Sequence, residues 1–253
     1  MKFILKITSF LGLFSIVFYA LHKSDFFNNK IVLADLGGIP WLYASMGTLF
    51  SILAGFIIQK EWENWNSLIN AVNSEINALR EMWLWSQYLP ANTRNIFHNS
   101  IELYLEEMAD NGLYKSERKI KSNRIEQSIS KLNAAMFDMF ENQPKVATTT
   151  FSFLSKLIEQ RAQRIHYSSR HAPKSIKSIV IFGTILIIGL CMFIGVKNIW
   201  LDYVFTTSIA MLTYTIYLVI DDLDNPLVPG GWHLTSHSYK ELLEEISSRH
   251  SKV

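Results

Sequence analysis

The segment "DDLDNP" places Asp221, Asp222 and Asp224 within four residues, just ahead of Pro226. Oxygen ligands at that density suit a hard divalent cation, so the segment is a candidate calcium site. The same three carboxylates also serve plainer ends, capping a helix or pairing with nearby lysines. His233 and His237 have the i, i+4 spacing of a metal pair only if they lie on a helix, and their context "PGGWHLTSHS" reads as a loop. The single cysteine, Cys191, sits in an apolar run, so no intramolecular disulfide forms and no zinc site rests on thiolates. Phosphate-loop, dinucleotide-fold, zinc-protease and nucleophile-elbow motifs are absent from the chain. No enzymatic activity is expected, and no cofactor beyond the calcium option.

The charge pattern defines the elements that hold these residues. The 253 residues include 24 Lys/Arg and 22 Asp/Glu. Even so, no charge falls between Asp35 and Lys60, between Lys177 and Lys197, or between Asp202 and Asp221. Each gap is close to the ~20 residues that cross ~30 Å of hydrocarbon as a helix. These runs predict an integral membrane protein with the lipid bilayer as its solvent. A shorter run, "ITSFLGLFSIVFYAL", follows Lys2 and Lys6. A cleaved secretory signal has the same signature. Because "FYA" at Phe18–Ala20 is a poor cleavage site and Lys6 and Lys23 can snorkel, the run is read as a retained first span, with cleavage as the alternative. No acid or base lies inside any span, which argues against ion-coupled transport. A net charge of +2 gives no reason to expect nucleic acid.

Lys2 and Lys6 orient the N-terminus to the cytoplasm, and four spans return the middle segment and the C-terminus there. Trp41 and Trp200 fit the outer interface, Trp62 and Trp65 the inner one. Residues 1–58 then hold spans one and two (about 7–22 and 39–58). Residues 59–175 form a cytoplasmic helical domain, 176–221 hold spans three and four, and 222–253 form a cytoplasmic tail. In the insert, Trp65, Leu68, Ile69, Val72, Ile76 and Leu79 repeat at helical spacing. A further helix is predicted after Pro90, capped by Asn92 or Thr93, carrying Ile101, Leu105 and Met108 and ending at Asp110–Gly112. Another starts at Asn123 with Glu126 completing a capping box, and one runs from about Val146 to Ser169. The tail has a capping box at Ser238 and Glu241 ahead of Leu242, Leu243 and Ile246, a short amphipathic helix that needs a partner surface. The basic run Tyr114–Arg124 reads as a solvated loop, with attraction of anions as the sharper option. No strand-like alternation stands out, and the fold is predicted to be all-α. High Ile, Asn and Lys usage suggests a bacterial source and an inner (plasma) membrane address.

The stretch "FSILAGFIIQKEWENW", Phe50–Trp65, passes from apolar to polar with no proline. With Pro40 in the first turn, one helix is predicted from Pro40 to Leu89, about 50 residues or ~75 Å long. Ala54 and Gly55 are small enough to let neighbouring helices approach closely. Thr48, Ile52 and Phe56, at i, i+4 and i+8, share one face.

Leu53, Gly55 and Phe56, followed by Trp62 and Trp65, resemble the second span of the bestrophin anion channels. The four spans, the long helical insert, and the acidic-proline segment Asp221–Pro226 with Gly230 after it resemble the bacterial bestrophin-like domain family more specifically. The resemblance implies a homo-oligomer, a pentamer, whose pore is lined by the second span and passes small anions. It carries a hydrophobic neck onto Phe56 and, by helical spacing, onto Ile52 and Thr48, with Ala54 and Gly55 behind that ring. Apolar rings of this kind gate by dewetting; in the plainer reading Ile52 and Phe56 are ordinary lipid or interhelix contacts. The sequence departs from the family pattern at Thr48, which is polar. It departs again after Pro226, where Leu227, Val228 and Pro229 replace the acidic run of bestrophins with a calcium clasp. Two functions follow. One is an oligomeric, anion-preferring channel; the other is a non-conducting membrane-anchored sensor or scaffold whose helical insert binds a partner or ligand.

Overall fold

The computed structural model describes residues 2–23, 39–113, 123–142, 144–193 and 198–250. Their regular structure is helical throughout: α1 (Lys2–Lys23), α2 (Ile39–Ser86), α3 (Ala91–Glu107), α4 (Asn123–Asn142), α5 (Pro144–Ser168), α6 (Lys174–Phe193), α7 (Ile199–Asp224) and α8 (His237–His250). The protein is all-α, as the sequence predicts. Helices α1, α2, α6 and α7 are long and apolar enough to cross a membrane, and α3–α5 are inserted in sequence between the second and third of them. Most of the basic run Tyr114–Arg124, through residue 122, lies outside the described residues, as does the connection over 24–38.

Helix α2 runs 48 residues without a break. No proline follows Pro40 until Pro90, whose ring disfavours helical backbone at Leu89. The helix therefore ends in a tight turn, with the N–H groups of Tyr88 and Leu89 donating to the carbonyls of Trp85 and Ser86 at 3.1 and 3.0 Å. The chain divides into two compact units, Met1–Glu63 with His171–Trp232 and Asn64–Arg170 with His233–Val253. Helix α2 thus contributes 39–63 to the first and 64–86 to the second.

In the first unit Phe14 and Phe18 of α1 pack on Ala210 of α7, a residue small enough to admit both rings. Phe10 stacks on Tyr214 with centroids 4.0 Å apart. A second cluster joins Ile57 of α2, Val180 of α6 and Ile220 of α7. The hydroxyls of Ser45, Thr48, Ser51 and Ser208 each donate to the carbonyl four residues back, at 2.7–2.9 Å. A hydroxyl satisfied by its own helix costs little in hydrocarbon.

In the second unit the predicted face of α2 is inward, with Leu68, Val72, Ile76 and Leu79 buried and Trp65 and Ile69 half-buried. Ile101 and Leu105 of α3 and Ile125, Leu132 and Met136 of α4 are buried as well. Three predicted helix signals differ in the structure. Helix α3 takes no side-chain cap from Asn92 or Thr93; Pro90 is its N-cap. Its carbonyl accepts the Arg94 N–H at 2.8 Å. Asp110–Gly112 lies in a wide π-helical turn, Met108–Gly112, that follows the α-helix. Helix α8 is capped by Ser236 rather than Ser238, since the Ser236 carbonyl accepts from Tyr239 and Lys240. The Ser236 hydroxyl donates instead to the Ala109 carbonyl at 2.7 Å. A π-turn frees carbonyls from the regular ladder, and the α8 N-terminus takes one of them up.

Candidate functional site

The exposed face of α2 in the first unit carries Thr48, Ile52 and Phe56; Ile52 is 53% exposed and Phe56 72%. On the other side of the same turns Ala54 and Ile57 are buried, at 2% and 8%. Thr48 donates its hydroxyl proton to the Ala44 carbonyl at 2.9 Å, so it offers the outside a methyl and lone pairs rather than a donor. Gly55 meets nothing: a Cβ there would have no atom within 4 Å. Within the protomer a close helix approach lies at Gly183 of α6, where a Cβ would stand 2.6 Å from the Phe50 ring. Trp41 and Trp200 are largely exposed, while Trp62 is half-buried and meets Trp232 edge-on with centroids 4.9 Å apart. Trp65 is half-buried.

The acidic segment at the end of α7 acts through backbone donors. Asp222 accepts from the N–H groups of Gly231 and Trp232 at 2.5 and 3.3 Å. Gly230 is required there, because a Cβ would overlap the Asp222 carboxylate. Asp224 is 1% exposed. It accepts from the Ala172 N–H and forms an ion pair with Lys177. The His171 ring nitrogen Nδ1 lies 2.9 Å from the Asp224 carbonyl. Asp221 lies 3.8 Å from Lys6. The three carboxylates therefore turn to separate protein partners. Among the described residues no group of three His, Cys, Asp or Glu could hold a metal. The segment folds the chain after α7 into a loop and ties α7 to the start of α6.

A second polar centre lies inside the second unit. Glu75 of α2 is fully buried, and its Oε2 accepts from Arg164 Nε at 2.6 Å. Its Oε1 accepts the Tyr104 hydroxyl at 2.7 Å. Tyr239 of α8 is fully buried beside them. Arg164 Nη1 has no hydrogen-bond partner, and the Tyr239 hydroxyl lies close enough to the Glu75 carboxylate to interact with it, without the geometry of a full hydrogen bond. Burial and then the Glu75 charge push the Tyr104 and Tyr239 hydroxyls above the ordinary tyrosine range. Burial acts to lower the Arg164 guanidinium, but the Glu75 carboxylate more than reverses this and holds it above its usual range. Arg164 thus stays charged and the two tyrosines stay protonated.

Residues 38–228 match the model of the Bestrophin-like domain. The chain belongs to the bestrophin-like family. Two solved structures of a bacterial bestrophin homologue from Klebsiella pneumoniae share its fold. The one phased on zinc is 13% identical over 97% of this chain and 97% of its own, with a TM-score of 0.76. A point variant is 13% identical over 98% of this chain and all of its own, with a TM-score of 0.72. No curated protein matches the chain.

Within this bestrophin-like fold the acidic-proline signature has a structural reading, the Asp222–Gly231 and Asp224–Ala172 bonds. Sequence reasoning missed the Glu75–Arg164 pair, although each residue carries a signal. Glu75 is three residues from Val72 and four from Leu79 on an otherwise apolar stripe. Arg164 continues the buried row Thr150, Leu154 and Leu157. A charge inside a buried stripe calls for a partner on another helix.

Proposed function

We propose that this protein is an oligomeric ion channel, a pentamer that prefers small anions, with α2 lining the pore and Thr48, Ile52 and Phe56 forming a hydrophobic neck. The observation that supports the reading is the asymmetry of α2: Ala54 and Ile57 are buried within the protomer, while Ile52 and Phe56 are turned outward. Copies arranged about an axis would bring the outward faces together, with Gly55 free to admit a neighbouring helix. A ring of five apolar side chains at one level creates a constriction that empties of water and closes conduction without a moving plug. In the same reading the protein lies in the bacterial inner membrane with both termini and the helical insert in the cytoplasm.

Current across a planar bilayer containing the purified protein tests the proposal, together with the mass of the detergent-solubilised complex. Anion-selective current from a pentamer is the expected result, and Phe56→Ala should raise basal conductance. An intact oligomer that passes no current under any ion gradient would overturn it in favour of the membrane-anchored scaffold. A monomeric mass would remove the central axis altogether.

A further inference from the structure

Between α3 and α4 of the second unit lies a cavity of about 500 Å³, within the 300–1,000 Å³ common for small-molecule sites. It exists because the facing positions are small. Ser100 projects from α3 and Ala134 and Ala135 from α4, and packed helices leave a gap where no large side chain fills the groove. Thr93 and Ile96 continue the α3 wall, and Lys131 stands on the α4 rim. Two of these groups lack partners. Ser100 is 1% exposed and its hydroxyl has no hydrogen-bond partner, although its carbonyl accepts the Ser128 hydroxyl at 2.6 Å. Lys131 is exposed and forms no ion pair among the described residues. Asp138 also lines the cavity, seven residues beyond Lys131, about 10 Å along the helix. It directs an anionic head to the Lys131 end.

We infer that this cavity binds a small monocarboxylate with an apolar body. The ammonium of Lys131 takes the carboxylate, its stem folding over the apolar wall. The Ser100 hydroxyl, buried without a partner, gains an acceptor. Ala134, Ala135 and Ile96 cover the hydrocarbon portion. The site lies wholly within the helical unit and stands whether or not the chain conducts.

Calorimetric titration of the full-length protein in detergent with hexanoate, and with hexanamide as the uncharged analogue, tests this. Hexanoate should bind saturably and more tightly than hexanamide. Lys131→Gln should weaken it by roughly tenfold or more, the usual size of a charge-assisted contact. Ala135→Leu should abolish it by filling the space, and Lys156→Gln, whose lysine pairs with Glu81, should leave it unchanged. Ser100→Ala should weaken binding without lowering the melting temperature of the unliganded protein. Lack of saturable binding, equal affinity for hexanamide, or unchanged affinity in Lys131→Gln would each overturn the inference. Because Lys131 is on the surface, that variant reads the site even if Ala135→Leu does not fold.

Discussion

Both units turn helix hydroxyls back onto their own carbonyls, but they place buried charge differently. In the first, the buried carboxylate of Asp224 is met by a backbone N–H and a lysine at the end of a span. In the second, a carboxylate and a guanidinium are placed at the centre of the packing, 89 residues apart in sequence and joined at 2.6 Å. The apolar unit is held by size matching, as at Gly183 under Phe50 and Ala210 between Phe14 and Phe18. The helical insert is held by shape plus one buried ionic node to which α2, α3, α5 and α8 each contribute a residue. Association of helices in lipid has little hydrophobic drive, so small residues must supply the contact. In the helical insert a paired charge sets which helices meet.

The comparison breaks most visibly at its ionic node. Glu75→Gln leaves Arg164 buried without a counter-charge and is expected to cost about 3–5 kcal/mol, read as a large fall in the melting temperature of the insert. The joint change Glu75→Met with Arg164→Met should recover much of that loss, because paired removal leaves no orphan charge. If the double variant melts as low as the single one, the node contributes shape rather than charge balance.

Alkaline pH attacks the same node by titration. Tyr104 and Tyr239 have raised values in the folded protein against an ordinary 10.0 in the unfolded chain. The folded state therefore keeps protons that the unfolded chain releases, and stability is complete below that value and falls as pH rises above it. Circular dichroism melts of the protein between neutral and strongly alkaline pH should show this decline, with a shallower one in a Tyr104→Phe, Tyr239→Phe double variant.

In the first unit Gly183→Ala tests size matching. The added methyl meets the Phe50 ring at 2.6 Å and should cost about 1–3 kcal/mol as an overpacked contact. Phe50→Leu in the same chain should relieve it, so the two changes should be non-additive. Measured additivity would mean that the helices separate freely at that point.

The smallest effect distinguishes the two tyrosines of the node. Tyr239→Phe removes a hydroxyl that faces Glu75 without a well-formed hydrogen bond and should cost less, about 1 kcal/mol or under. Tyr104→Phe removes the donor to Glu75 and should cost about 1–3 kcal/mol. Equal losses from the two would place an acceptor on Tyr239 as well.

Local order was legible from the sequence because it depends on near neighbours along the chain. Charge-free runs gave the spans, the lack of proline between Pro40 and Pro90 gave the unbroken α2, and Leu68, Val72, Ile76 and Leu79 gave its buried face. The capping residues were read less well. Asn92 and Thr93 cap nothing because Pro90 already starts α3, and Ser236 displaced Ser238 because its hydroxyl is held by Ala109. Both outcomes turn on what lies within a few ångströms in space, which neighbouring residues alone do not state.

Short-range periodicity and the cost of burying charge in hydrocarbon were enough for the sequence alone to determine an all-α chain with four apolar helices and a long helical insert. Only the tertiary structure decided that Gly183 rather than Gly55 is the point of close approach within the protomer. It also decided that the acidic segment binds backbone N–H groups, and that Glu75 meets Arg164. Each of these depends on which distant side chain fills a given gap, and close packing rather than local propensity makes that choice.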